Sequence, residues 1–136
     1  LWLVMPIYAV FMLIVALSSM GLPGLNGFVG EFAILLGAFG SEALGTALFA
    51  AFAAIGVILA AIYLLTMYQR MFLGPITNEE NKGLKDINVR EILILVPLLI
   101  LIFWIGLYPD PFFGLMEASV DKLVVNLQAV AMAGLH

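Results

Sequence analysis

Residues 17–32 read LSSMGLPGLNGFVGEF, and this stretch decides the fold. Its Gly- and Pro-rich centre interrupts an apolar segment, and its Glu31 is the only charged residue in the first 41 positions. A carboxylate near the middle of a bilayer costs roughly 3 kcal/mol on insertion scales and marks a functional site by default. Transporters often interrupt a helix around such a group. We therefore interpret Glu31 as a protonatable group on a proton path.

The composition predicts an all-α integral membrane protein. The chain has 136 residues, of which 65% are hydrophobic and only 10% are charged. Soluble domains carry about 25% charged residues, so this chain is expected to share its apolar surface with lipid or with partner subunits. It does not begin with Met and has no basic leader, which predicts the C-terminal part of a longer membrane protein.

Several kinds of site are excluded within this chain. Lys and Arg number only five, so the net charge of -4 gives no sign of nucleic-acid binding. No cysteine is present, which excludes disulfides, thiolate metal sites and a Cys nucleophile. The single histidine is the last residue, His136, so a His-based metal site or a Ser-His-Asp triad is not expected. We expect no cofactor in this chain.

The first apolar stretch, 1–40, is too long for one simple span, which needs ~20 residues. Glycines and Pro23 divide it into halves at 7–19 and 28–39, each too short to cross alone. In one interpretation a discontinuous helix crosses once, with its break near the midplane. In the other, residues 1–20 span alone and 28–39 form a re-entrant segment. The residues assigned to the break are Gly21, Pro23, Gly24 and Gly27.

Two further segments predict transmembrane helices at 43–72 and 91–108, giving about three in all. Small residues in the first half of 43–72 indicate close packing against another helix. Pro97 is expected to kink the helix 91–108, and Trp104 and Tyr108 are typical of an interfacial aromatic belt. Tyr68 and its neighbours at the other end of 43–72 are interpreted as interfacial anchors.

The loop 74–90, with Arg70, carries four of the five basic residues. The positive-inside rule therefore places this loop in the cytoplasm, and the short turn carrying Glu42 on the opposite side. The tail 112–135 has apolar residues at helical spacing, which predicts an amphipathic helix. Membrane adhesion and docking on a neighbouring subunit are equally compatible with that tail.

Glu31 would lie about one turn inside the second half-helix if Asn26 caps that helix. Burial favours its neutral form, whereas the helix N-terminus favours the carboxylate by at most ~2 kcal/mol. We expect burial to dominate, which suits a group that takes up and releases protons. The alternative is a purely structural role, in which Glu31 pairs with a buried Lys or Arg in another part of the protein. Ser18, Ser19 and Asn26 could line a hydrated path, although such hydroxyls more often bond to a helix carbonyl.

Residues 17–39 closely resemble the signature of the subunit M family of bacterial NADH:quinone oxidoreductase, respiratory complex I. Three further stretches are similar to that family: YQRMFLG at 68–74, NVRE at 88–91 and GLYPDP at 106–111. The resemblance implies the last helices of an antiporter-like domain, with the first helix discontinuous. It places Glu31 on the glutamate that ends a central proton relay, where related subunits usually carry lysine.

The resemblance implies a multi-pass protein of the bacterial inner membrane, with other membrane-arm subunits and the lipid bilayer as partners. NADH, FMN, iron–sulfur clusters and quinone would belong to partner subunits. Three rival functions stay open: a cation/proton antiporter subunit, the equivalent subunit of a membrane-bound hydrogenase or formate-linked complex, and a structural membrane scaffold.

Overall fold

The computed structural model describes residues 1–41 and 47–133, and it is all-helical there, with no β-strand in those ranges. The predicted all-α fold is confirmed. The predictions on Glu42 and on the helix ends at 43–46 and 134–135 lie outside the described residues. The helices are α1 (Pro6–Ser19), α2 (Asn26–Gly40), α3 (Leu48–Tyr68), α4 (Val89–Leu107) and α5 (Asp110–Ala133).

Among the residues that the structure describes, two helices are long and apolar enough to cross a membrane. One is Leu48–Leu73, which is α3 with a π-helical turn at its end, and the other is α4. In the most apolar 18-residue stretch of each helix, only 6% of the first and 0% of the second is buried within the chain. Apolar side chains therefore face outward along both helices, as expected of segments that contact lipid or further helices rather than water.

Helices α1 and α2 have 14 and 15 residues, so each is ~21–23 Å long and shorter than the ~30 Å hydrocarbon core. Both pack against α3, but at opposite ends of it. Ala9 near the start of α1 contacts Tyr68 at the end of α3, whereas Phe39 near the end of α2 lines the same groove as Ala50 at the start of α3. The two short helices thus follow one another along an antiparallel α3, which favours one discontinuous crossing over a re-entrant segment.

An aromatic cluster joins the start of α1 to the end of α3. The Tyr68 hydroxyl donates a hydrogen bond to the Ala9 carbonyl at 3.1 Å. The Phe72 ring, in the π-helical turn, stacks on Tyr68 at 4.8 Å and contacts Tyr8 at 5.7 Å between centroids. Tyr68 is 5% exposed, so its interpretation as an interfacial anchor is wrong. A buried phenol needs a partner for its hydroxyl, and α1 supplies one.

Asp86 caps the N-terminus of α1 from the far end of the 74–88 loop. Its carboxylate accepts hydrogen bonds from the backbone N–H of Ile7 at 2.7 Å and of Tyr8 at 3.1 Å. The residue before the helix, Met5, provides no side-chain cap. Because the first N–H groups of a helix lack partners and carry partial positive charge, a carboxylate there is favourable. The loop is thereby attached to the first half of the discontinuous helix.

Replacing Asp86 by Ala should speed amide hydrogen exchange in the first turn of α1, since the N–H groups of Ile7 and Tyr8 lose their acceptor. Partial desolvation raises the pKa of the Asp86 carboxyl, but N–H donors from Ile7, Tyr8 and Ile87 lower it more, and the pKa lies below its ordinary value. The cap therefore stabilises the fold above pH ~4 and is lost as the pH falls through that lowered pKa.

The measurement is hydrogen exchange followed by mass spectrometry on the full-length subunit, with Asp121→Ala on α5 as the matched control. The compared quantity is the protection of the amides in the first turn of α1 relative to their intrinsic exchange rate at each pH. In the wild type this protection should fall to the Asp86→Ala level only in acid. In the variant, acid should cause little further loss, because the carboxyl group is already absent. Equal protection of the first turn of α1 in wild type and variant at neutral pH would contradict the cap.

Helix α4 begins with a capping box, in which Asn88 accepts from the Glu91 N–H at 3.0 Å and Glu91 accepts from the Asn88 N–H at 2.8 Å. It contains Pro97 and continues to Leu107. Helix α5 follows after two residues, and its side chains from 113 to 130 are all exposed within the chain. The Phe112 ring meets Trp104 edge-on at 5.7 Å, which ties the start of α5 to the end of α4.

Candidate functional site

The break between α1 and α2 is a compact loop at residues 20–25. Gly21 has φ 72° and Gly24 has φ 92°, and no other described residue has a positive φ. Glycine adopts this left-handed region at no steric cost, which explains why both positions carry it. Inside the loop the Leu22 N–H donates to the Leu17 carbonyl at 3.1 Å, and the Leu25 N–H to the Leu22 carbonyl at 3.1 Å. The interruption is therefore a defined turn.

The Glu31 carboxyl group folds back onto this turn. A Cβ atom built on Gly21 would overlap Glu31 Oε2 and would lie 3.1 Å from its Cδ. The side chain of Glu31 is half-buried, and its carboxyl lies against bare backbone because Gly21 has no side chain. The structure thus brings together two residues that sequence reasoning had singled out, the candidate acid and a glycine of the break.

Gly27 lets the start of α2 approach the end of α1. A Cβ there would overlap the Ser18 backbone oxygen and lie 3.0 Å from its carbonyl carbon. Ser18 is 5% exposed, and its hydroxyl donates to the Asn26 side-chain oxygen. The expected capping role of Asn26 is wrong: Leu25 is the N-cap residue, no side chain caps α2, and the Asn26 oxygen accepts from Ser18 instead.

The other candidates of the break lie apart from this contact. Ser19 is exposed, so the structure brings only Ser18 and Asn26 together among the three proposed path residues. Pro23 lines an apolar groove of about 340 Å³ between the break and α4, with Leu107 on the opposite wall. Gly106 of α4 touches the break directly, a role that the sequence did not indicate because the two lie more than 80 residues apart.

Few charges surround the site. In the ranges 1–41 and 47–133 the structure contains one ion pair, Lys82 with Glu79 at 2.6 Å in the exposed loop. Glu31 therefore has no cationic partner among the described side chains. Nor do those side chains form a group of three or more that could hold a metal ion. What the site offers chemically is one carboxyl group, held against a helix break within apolar surroundings.

The fold and this site define a class: an all-helical membrane protein whose discontinuous helix presents a carboxyl group at its break. A family profile described as NADH:quinone oxidoreductase/Mrp antiporter, transmembrane, matches residues 1–58, which include the break and Glu31. Residues 1–58 are thus similar to that family, and the resemblance predicted from the sequence is confirmed.

The particular proteins that this chain resembles include subunit M of NADH-quinone oxidoreductase and chain 4 of NADH-ubiquinone oxidoreductase. It is 42% identical over 122 residues to subunit M of Rickettsia bellii, covering 90% of this chain and 24% of that protein. It is 40% identical to chain 4 of Marchantia polymorpha over 88% of this chain and 23% of that protein. It is 39% identical to subunit M of Rhodobacter capsulatus over 92% of this chain and 24% of that protein. The chain thus spans about a quarter of the length of these relatives.

Proposed function

We propose that this chain is part of a proton-translocating membrane subunit of an NADH:quinone oxidoreductase, and that Glu31 is a proton-carrying residue of its relay. The observation that carries the proposal is the position of Glu31. It is the one acidic side chain of α1 and α2, and its carboxyl lies against the turn that divides them. The relatives named subunit M and chain 4 support the enzyme complex to which it would belong.

The chemistry follows from the surroundings of the carboxyl group. Its oxygen atoms lie against the Gly21 backbone at the turn, near the start of α2. A positioned carboxyl group of this kind can bind and release a proton, which is what general acid–base chemistry requires. The open backbone of a break also admits water where it lines a cavity, which a continuous helix does not. Glu31 would accept a proton from the inner part of the subunit and release it toward the outer face.

The hydrogen bond between Ser18 and Asn26 supports a second, weaker element of the proposal. It joins two polar side chains that flank the turn against which the Glu31 carboxyl lies. In our proposal they contribute to the hydrated path, together with Ser19 on the exposed side. The glycines of the break, with Pro23, would hold that path open rather than exchange protons themselves.

The proposal also covers the location of the subunit and its partners. The subunit would lie in the bacterial inner membrane, beside other membrane-arm subunits, with the loop 74–90, which holds three of the five basic residues, in the cytoplasm. NADH, FMN, iron–sulfur clusters and quinone would act in those partner subunits, so electron transfer would drive this chain from a distance. The helical segments would form part of one antiporter-like domain, with the broken helix in 1–40 as its functional element.

A second candidate function is cation/proton exchange, since the matching family includes Mrp antiporters. One experiment distinguishes the oxidoreductase function from the antiporter function. Glu31 is replaced with Gln in the full-length subunit, and NADH-driven proton uptake into sealed vesicles is measured with and without sodium. Loss of NADH-driven uptake that is independent of sodium supports the oxidoreductase. A sodium requirement in the wild type supports the antiporter.

A further inference from the structure

Gly106, the last residue but one of α4, is in direct backbone contact with the break. A Cβ atom built on it would overlap the Gly24 carbonyl oxygen and lie 2.5 Å from the carbonyl carbons of both Gly24 and Leu25. The contact exists only because position 106 carries no side chain. Its Cα hydrogens face the Gly24 oxygen, a contact of the kind that recurs where helices approach closely.

The same turn touches the carboxyl group of Glu31 through Gly21. Gly24 and Gly21 are joined by three peptide units and both have a positive φ, and between them Leu22 is hydrogen-bonded through its N–H to Leu17 and through its carbonyl to Leu25. Leu25, which continues the turn into α2, is only 4% exposed. The turn therefore contacts a glycine of α4 through Gly24 and the Glu31 carboxyl through Gly21. A shift of α4 would move both ends of this loop together, because packed backbone cannot be compressed.

We infer that Gly106 is a positioning residue for Glu31: it lets α4 set where the break lies, and so where the carboxyl group that rests on the break lies. This inference rests on the proposed function, which it deepens by naming the element that controls the site. Leu107 adds to the same contact, since its Cδ2 would be 3.7 Å from a Cβ at Gly24. Proton transfer is sensitive to such placement, because an error of ~1 Å can cost about 100-fold in rate.

The test places Gly106→Ala in the full-length subunit within its complex. Two quantities are measured: protons taken up per NADH oxidised, and the rate at which a hydrophobic carbodiimide modifies Glu31, followed by mass spectrometry. The number of protons taken up per NADH should fall about three- to tenfold. The rate of Glu31 modification should change several-fold, which a merely structural loss of stability would not cause in the assembled complex. The matched control is Gly56→Ala on α3, where an added Cβ meets nothing within 4 Å.

Unchanged coupling and an unchanged labelling rate of Glu31 in Gly106→Ala would overturn the inference. Should that variant fail to assemble, Leu107→Ala loosens the same contact by removing atoms, and unchanged values there would overturn it equally. The proposed function fails separately. If Glu31→Gln leaves proton uptake intact while Gly106→Ala alters the labelling rate, Gly106 positions a carboxyl group that is not part of a relay.

Discussion

Glu31→Gln in the full-length subunit should remove most NADH-driven proton uptake and leave assembly of the complex intact. Glutamine has nearly the same shape as a protonated glutamic acid, so it can occupy the space against Gly21 without new overlap. It cannot exchange a proton. Positioned acid–base groups contribute roughly 100- to 10,000-fold to the rate of a proton transfer. We therefore expect the uptake rate to drop about 100-fold, the lower end of that range.

The measurement uses sealed vesicles, with uncoupled electron transfer and the amount of assembled complex recorded in parallel. Glu117→Gln is the matched control, because it removes the same group from the exposed helix α5. Glu31→Lys should keep part of the activity, since lysine also carries a proton and the resemblance places lysine there in related subunits. Unchanged uptake in Glu31→Gln would reduce Glu31 to a tolerated acid in a scaffold helix.

The sequence predicted the helices and the break for simple physical reasons. Long apolar runs at 48–73 and 89–107 have no alternative to a helix in lipid, because every backbone polar group must be satisfied within the segment. Glycine and proline mark the interruption because they tolerate backbone angles that other residues avoid. The positions of Gly21 and Gly24 at positive φ agree with that reasoning.

The contacts that fix the site could not be derived in this way. Asp86 bonds to N–H groups almost 80 residues earlier, and Gly106 packs on a turn that precedes it by a similar separation. Local propensity and periodicity carry no information on such pairings. Asn26 shows the complementary failure: a residue type that favours N-caps instead bonds to Ser18, because a nearby hydroxyl in the folded chain competes for the same oxygen.

Gly27→Ala and Gly30→Ala should change stability in opposite directions, although both lie on α2 and are three residues apart. At Gly27 the new methyl group would overlap the Ser18 carbonyl oxygen, and neither backbone can move without disturbing the break. Such overpacking costs about 1–3 kcal/mol, and here it sets backbone against backbone, so the upper end applies. At Gly30 an added Cβ meets nothing within 4 Å, and alanine favours a helix over glycine by about 1 kcal/mol.

The comparison is made on the full-length subunit in detergent, by denaturant or thermal unfolding, with hydrogen exchange at the break as a local readout. Gly27→Ala should lower the midpoint and expose the amides of the turn, and Gly30→Ala should not. Neither glycine has a positive φ, so backbone flexibility predicts similar effects at both. Opposite shifts would therefore mean that the close approach of α2 to Ser18, made possible by a missing side chain, holds the two half-helices together. Equal losses at both positions would contradict that close approach.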